Sequence, residues 1–458
     1  MTDQLNVVLV VLDSARADHL SSYGYARQTM PFLDQLGREG VRFQQMISTS
    51  SWTLPSHASL FTGLFPSTHG ATDENRLLAS RHRLLAEYMK DAGYRTAAFC
   101  TNPWVSPQTG FGRGFDLFHT QRVAGRLAGR ATLYARKASD RVLGRDDSGA
   151  RRTNRALGAW LEQGGEPFFA FVHYNEPHLP FRPPGPYDRM FMPRGITSAR
   201  INAVNQDANQ YIAGAVQMTE EDFVILNALY DGELRYADMR LQEIADALVR
   251  QGRWDRTVLI VTADHGENLG EHHMMGHKFV LCDTLLRIPL IMRCPRLIPQ
   301  GFVVDELAQL TDITPTVLDF AGVETDGGRL SGRALIKDGQ ATPGPAFAIA
   351  ERHRPNLTVF QQRFPQFDVR RYEVRQKAIR TRREKFIWHS DEANEFYDLI
   401  RDPGEEDNLV ESEAQRAEAL RRALFDWFAG IERSEGDGRA PAMDAAMRGQ
   451  LERLGDIE

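Results

Sequence analysis

Cysteine is scarce in this 458-residue chain: Cys100, Cys282 and Cys294 are scattered and have no CxxC spacing. An odd, scattered set excludes a disulfide scaffold and predicts reduced thiols, hence a cytoplasmic protein. An excess of positive charge is also absent. Lys and Arg number 55 against 61 Asp and Glu, a formal net charge of −6. That balance argues against nucleic acid as a partner, because nucleic-acid binding leaves a basic footprint. No apolar run reaches the roughly 18 residues of a membrane span, so no transmembrane segment is expected. The N-terminus carries Asp3 where a signal peptide would be basic. Its apolar stretch ends at Asp13 without a small-residue cleavage site, so it is not read as a signal peptide.

What the chain does have is alternation. Residues 6–12 are Val- and Leu-rich, as in a strand buried on both faces, and 168–173 and 258–262 repeat that character. Residues 96–100 and 289–292 read as shorter strands. Between them, 31–40 (Phe32, Leu33, Leu36), 84–92 and 220–251 carry helical spacing. Strands alternating with helices over the first 320 residues or so predict an α/β fold with a mostly parallel sheet covered on both faces. The Arg- and Ala-rich stretch 122–155 reads as a helical, solvated surface insertion. Residues 182–218, with several Pro and Gly, read as a long irregular loop. After Gly322 the character changes. A Gly-rich linker (324–345) leads to short β-like pieces at 346–350, 372–381, 385–389 and 395–399, a helix over 412–431, and a polar tail expected to fray past Glu432. The expected organisation is a catalytic domain (1–323), the linker, and a small α+β subdomain (346–458).

Three polar clusters fall at predicted strand exits, where open α/β sheets place their ligands. They are Asp13, the run Asp264-His265-Gly266-Glu267, and His173 with His178. Any one of them alone reads equally well as a helix cap or loop acid. Together they point to a divalent metal. A fourth element, TLPSHASLFTG at 53–63, reads as a loop entering a helix with Pro in its first turn. A helix N-terminus suits an anion, and a hydroxyl there can act as a nucleophile. Spacing alone equally allows Thr53 or Ser56 to be a simple cap.

The run TLPSHASLFTG resembles the signature of the sulfatases, a branch of the alkaline phosphatase superfamily, whose pattern is Cys (or Ser)-x-Pro-Ser-Arg-x-x-x-x-Thr-Gly. VVLVVLDSARADHLSSYGY resembles the family's first metal-binding strand, and TADHGENLGEHHMMGH followed by LLRIPLIM its later metal loop. LTDITPTVLDFAGV and FYDLIRDPGEEDNL are similar to its late helix and C-terminal hairpin. The matches run in the family's order from residue 6 to about 410. The resemblance implies an alkaline-phosphatase-like fold: a central mostly parallel sheet sandwiched by helices, with a small C-terminal α+β subdomain. It implies Asp13, Asp264 and His265 as metal ligands and Thr53 as the nucleophile. His57 stands where the family has an Arg that steadies the nucleophile and the charged ester. His178 matches a histidine that contacts the ester oxygens or protonates the leaving group. His277 and Lys278 fall where a substrate-binding cation is placed, and Asn102 is a candidate oxyanion contact.

Two departures shape the expected chemistry. Threonine cannot be converted to formylglycine, so Thr53 favours phosphorus over sulfur: a phosphothreonine can be hydrolysed, whereas a sulfated threonine lacks the aldehyde-forming escape. Calcium sulfatases pair Asp-Asp with Asp-Asn, where this chain has Asp13-Ser14 and Asp264-His265. The change shifts preference from Ca²⁺ toward Mn²⁺, Fe²⁺ or Zn²⁺. One metal is favoured over two, with room for a second on His173, His178 or His277. The expected function is metal-dependent hydrolysis of a small anionic phosphate ester, a phosphodiester or phosphonate monoester. The alternatives are a sulfatase working without formylglycine, a phospho-group transferase, or a non-catalytic binding protein. Among weaker signals, His69 reads as a turn residue, His272 and His273 as loop residues, Trp52 and Trp104 as packing, and Glu267 as a support for a ligand histidine.

Overall fold

The structure is a computed structural model that describes residues 4–120, 147–325, 330–433 and 443–454. The Arg- and Ala-rich stretch lies mostly outside these residues; its described end forms the Ala150–Glu162 helix. In chain order the strands are β1 (Asn6–Leu12), β2 (Val41–Ile47), β3 (Arg95–Cys100), β4 (Leu117–Thr120), β5 (Phe168–Tyr174) and β6 (Thr257–Ala263). They continue as β7 (Asn268–Leu269), β8 (Met275–Gly276), β9 (Arg287–Arg293), β10 (Phe302–Gln309), β11 (Ile336–Lys337) and β12 (Gln340–Ala341). The last four are β13 (Ala348–Arg352), β14 (Gln376–Arg380), β15 (Glu384–His389) and β16 (Glu395–Asp398).

The central sheet has eight strands in the order β10-β2-β9-β6-β1-β5-β3-β4. Only β9 runs antiparallel to its neighbours, so the other seven direct their carboxyl ends to one edge. Every residue of β1, β5 and β6 is buried. The physical reason is in the sequence: an unbroken Val/Leu/Ile/Phe run suits a strand with helices on both sides. Each fully buried side chain of this kind contributes roughly 1.5–3 kcal/mol. The covering helices form two groups, Pro31–Glu39, Ala150–Glu162 and Glu220–Arg250 on one side and Thr53–Thr62, Leu85–Asp91 and Ile313–Phe320 on the other. No helix among the described residues is long and apolar enough to cross a membrane.

The antiparallel sheet β13-β14-β15-β16 packs against the Ala414–Gly430 helix through Ile379, Phe386, Phe396, Leu424 and Phe428. It is tied to the main sheet beside the site. Glu351 N donates to Thr49 O at 2.8 Å, and Asp283 takes Lys385 Nζ at 3.0 Å and Arg380 at 2.8 Å.

Three segments differ from the sequence reading. Residues 182–218 contain short helices at Tyr187–Met190, Ser198–Ala203 and Ala208–Ile212, the last two capped by Thr197 and Asp207. Helices of one turn are too short to show periodicity. Residues read as linker include the β11–β12 hairpin, with Leu335 and Ile336 buried in the main core. The tail expected to fray instead forms the helix Ala445–Leu454, which buries Met447 and Leu451 in that core. Met447 and Leu451, four apart, anchor it, a signal the polar composition hides.

Candidate active site

The carboxyl ends of β1, β2, β3, β5 and β6 deliver most groups of the site, and His277 and Lys278 follow β8. Asp13 follows β1 directly and is fully buried. Ser14 beyond it turns in the left-handed region (φ 66°), which aims its N–H at Asp264 Oδ1, 3.1 Å away. Tyr230 of the long helix clamps this turn, donating to Ser14 O at 2.8 Å and accepting from Arg16 N at 2.8 Å. Arg16 then reaches across to Glu267 O at 3.0 Å and Glu271 at 2.6 Å, fixing the loop after β6.

That loop carries Asp264 and His265. Asp264 Oδ1 also accepts His265 N at 2.9 Å, while its Oδ2 is buried without a hydrogen-bond partner. Gly266 allows the loop to pass close to its neighbour, since a Cβ there would lie 1.9 Å from Thr284 O. His265 Nδ1 donates to Gly266 O at 2.8 Å, so its Nε2 presents a lone pair to the site. That Nε2 lies 3.4 Å from Asp264 Oδ2 and 3.9 Å from Asp13 Oδ1. Two carboxylates and an imidazole lone pair aimed at one another suit a divalent cation between them, and repel without one. The three residues bring their ligand atoms within 4.8 Å of one another. Burial pushes the Asp13 carboxyl up, but the nearby His178, His173 and His265 outweigh it and hold it well below the ordinary range. It is therefore a carboxylate at neutral pH.

The loop after β2 leads into the Thr53–Thr62 helix, which is buried throughout. Its N-cap is Trp52, with no side-chain cap, and Ser56 Oγ donates to Ser50 O at 3.0 Å. The Thr53 hydroxyl is thus not a cap. It lies 3.2 Å from His265 Nε2, at the centre of the acid–imidazole group.

His57, one turn on, donates from Nδ1 to Thr53 O at 2.8 Å and lies 3.5 Å from Asp264 Oδ2. Burial holds its pKa down to about 4 despite Asp264, so it is a neutral imidazole at pH 7. It cannot supply the fixed charge of an arginine. His173 Nε2 lies 3.3 Å from Asp13 Oδ2, and its Nδ1 meets the Thr101 hydroxyl at 3.0 Å. Asn102 turns its amide to Asp13 Oδ2 at 2.8 Å and accepts Trp104 N at 2.9 Å. Its NH₂ orients a carboxylate here. Gln450 of the terminal helix donates to Thr101 O at 2.6 Å, bracing this corner from the far end of the chain.

A second histidine pair faces the first group. His277 packs its ring 4.5 Å from His265 and 5.0 Å from His178. Glu267 organises both: Oε1 accepts His277 Nδ1 at 3.0 Å and Oε2 accepts Leu179 N at 3.0 Å. Burial raises the Glu267 carboxyl, but His277 and then His178 hold it below its ordinary value. His178 Nδ1 donates to Leu179 O, leaving Nε2 without a hydrogen-bond partner. Lys278 Nζ donates to Asn209 Oδ1 at 3.4 Å, which joins the 182–218 stretch to the site. Trp52 and Trp104 meet edge to face at 5.2 Å beneath the Arg76 guanidinium. His69 is structural, bonded to Ser59 Oγ at 3.1 Å and Ala71 N at 3.1 Å. His272 is half-buried and His273 exposed.

The structure thus gathers Asp13, Thr53, His57, His173, His178, Asp264, His265 and His277. Ser14, Arg16, Thr101, Tyr230 and Gln450 support them without any motif to mark them, because each acts through a partner distant in sequence.

Behind His178, two buried carboxyls hold its loop. Glu176 Oε1 accepts Ala150 N at 3.3 Å and Glu233 Oε1 accepts Arg182 N at 2.6 Å. Burial, then Asp147, pushes Glu176 up to about 8 from an ordinary 4.5. The folded state therefore keeps a proton that the unfolded chain loses, and stability falls as pH rises across that window. A single such group changes stability by as much as about 1.4 kcal/mol per pH unit. Glu176→Gln keeps the acceptor for Ala150. It is expected to raise the melting temperature at pH 8, flatten the fall between pH 5 and 8, and change little at pH 4.5. Thermal unfolding across that range in chelator checks it; an unchanged pH slope would count against the buried-proton account.

Fold and site together define an α/β ester hydrolase of the alkaline phosphatase superfamily. The chain belongs to the sulfatase family, whose model matches residues 5–323; that of the N-sulphoglucosamine sulphohydrolase C-terminal region matches residues 270–426. It is 28% identical over 394 residues to the multifunctional alkaline phosphatase superfamily protein PehA of Trinickia caryophylli, covering 72% of this chain and 76% of that one. It is 24% identical to an arylsulfatase of Clostridium perfringens, covering 94% and 96%. Among solved structures, the phosphonate monoester hydrolase of Agrobacterium radiobacter superposes with a TM-score of 0.76 at 25% identity, covering 93% and 96%.

Proposed function

We propose that this sulfatase-family hydrolase cleaves phosphate esters, phosphodiesters or phosphonate monoesters, through a covalent intermediate on Thr53. One observation carries the reading: the Thr53 hydroxyl is not a helix cap but lies 3.2 Å from His265 Nε2, among ionisable groups that suit a cation. The likeness to a phosphonate monoester hydrolase supports it. Asp13, Asp264, His265 and Thr53 would hold the ion, and two carboxylates with an imidazole favour Mn²⁺, Fe²⁺ or Zn²⁺ over Ca²⁺. Such an ion, when bound, polarises a phosphoryl oxygen and lowers the pKa of a hydroxyl.

The chain's own groups do the rest. Deprotonated Thr53 Oγ1 attacks phosphorus in line; the Oγ1–P bond forms as the bond to the leaving oxygen breaks. His178, whose Nδ1 is held by Leu179 O, gives a proton from Nε2 to that oxygen. Water then attacks phosphorus, the P–Oγ1 bond breaks, and the proton released returns to His178. With His57 neutral, compensation of the ester's negative charge falls to His277, Lys278 and the N-terminal N–H groups of the Thr53–Thr62 helix.

All these residues lie before residue 323, which supports reading 1–323 as the catalytic domain; within 346–458, the four-stranded sheet and the Ala414–Gly430 helix share a core of their own, while the Ala445–Leu454 helix packs into the main one. Three buried cysteines, each a free thiol, support a reducing, cytoplasmic setting.

The test is a rate comparison on metal-loaded enzyme with p-nitrophenyl phosphodiester, phosphonate, phosphate and sulfate esters. Faster turnover of the diester and phosphonate is expected. Preference for the sulfate would overturn the reading and leave a sulfatase that works without formylglycine.

A further inference from the structure

A second set of ligand-type side chains gathers about Asp264. His57, His173 and Asp264 are fully buried and bring one ligand atom each within 4.8 Å of the others. Their hydrogen bonding is incomplete. His57 spends Nδ1–H on Thr53 O, and its Nε2 has no hydrogen-bond partner. The Thr101 hydroxyl donates to His173 O at 3.1 Å, so at 3.0 Å it accepts His173 Nδ1–H. The opposite nitrogen, His173 Nε2, then faces the Asp13 carboxylate at 3.3 Å. Asp264 Oδ2 is likewise buried without a partner. The two rings stand 5.1 Å apart.

Buried polar atoms are nearly always satisfied, and His57 Nε2 and Asp264 Oδ2, both left open within one buried group of ligand-type side chains, call for a partner. We propose that His57, His173 and Asp264 bind a second divalent cation, with Asp264 shared between the two ions. This rests on the metal-dependent hydrolase reading of the first site. Two imidazoles and one carboxylate select Zn²⁺ or another borderline ion and disfavour Ca²⁺ and Mg²⁺. The site also accounts for the histidine at position 57. An arginine there would carry its own charge, whereas a neutral histidine can hold a metal charge beside Thr53. Paired ions of this kind brace the attacking and leaving oxygens of an in-line displacement.

The full chain, stripped with chelator and titrated with Zn²⁺, is the test, read as bound metal per chain by elemental analysis and calorimetry. Wild type is expected to take up two ions. His57→Gln and His173→Asn are each expected to keep one, and Mn²⁺-loaded wild type to give an exchange-coupled electron paramagnetic resonance spectrum that both variants lose. A single ion in wild type, removed by His265→Gln but not by His57→Gln, would overturn the second site and leave the hydrolase reading standing. Two ions that persist in both His57→Gln and His173→Asn would place the second elsewhere and overturn it equally. No bound ion in wild type would sink both readings. The wild-type count decides even where a variant folds poorly.

Discussion

Thr53→Ala is expected to lower phosphodiester turnover by about a thousand-fold or more, because loss of a covalent nucleophile removes the first step itself. Thr53→Ser keeps the oxygen and should recover most of the rate. Stability should change little. The helix begins at Trp52 without a side-chain cap, and Thr53 lends no hydroxyl to a free backbone N–H. Alanine deletes the hydroxyl and one methyl, a change of about 1 kcal/mol. Steady-state kinetics and thermal unfolding on the same samples check both parts. Full activity in Thr53→Ala with metal bound would remove the central claim.

Asp264→Asn is expected to have the next largest effect, and its sign on stability depends on metal. Asp264 Oδ1 accepts the N–H groups of Ser14 and His265, which an asparagine oxygen keeps. Its Oδ2 has no partner and lies 3.4 Å from His265 Nε2 and 3.5 Å from His57 Nδ1. Asparagine puts an NH₂ there, which no cation accepts. Metal affinity and turnover should therefore both fall, activity by about a hundred-fold or more. In chelator, however, the variant should melt at or above wild type, because one of two neighbouring buried acids has lost its charge. With metal added, wild type gains stability and overtakes it, by about 2.7 kcal/mol at a hundred times the dissociation constant. Melting curves with and without Zn²⁺ make the comparison. A variant less stable than wild type in chelator would show that Asp264 is structural first.

The chain's neutral His57 separates it from the signature it otherwise follows. Arginine at that point carries a permanent charge. Burial holds His57 at about 4, so its charge contribution at neutral pH is nil unless a cation joins it. The substitution of Thr for Cys and of His for Arg one turn apart therefore alters both the nucleophile and its electrostatic partner. The two changes sit on one helix face and bear on one oxygen.

Much of this was legible in the sequence. Buried strands announce themselves because an unbroken apolar run can be satisfied only between two helical layers, and β1, β5 and β6 are such runs. The acids and imidazoles directly after β1 and β6 follow from position, since seven strands end at one edge. The threonine at position 53, and the chemistry it favours, was legible only through the resemblance of residues 53–63 to the family signature. What only the tertiary structure decided is where each polar atom finds its partner. Thr53 meets His265 from 212 residues away, and Tyr230 clamps Ser14 across 216. Asn102 turns to Asp13, and a helix in the apparently polar tail reaches Thr101. Local periodicity reports which face of an element is apolar. A hydrogen-bond partner is set by how whole elements pack, and a lone pair left open among buried charges becomes visible only once that packing is complete.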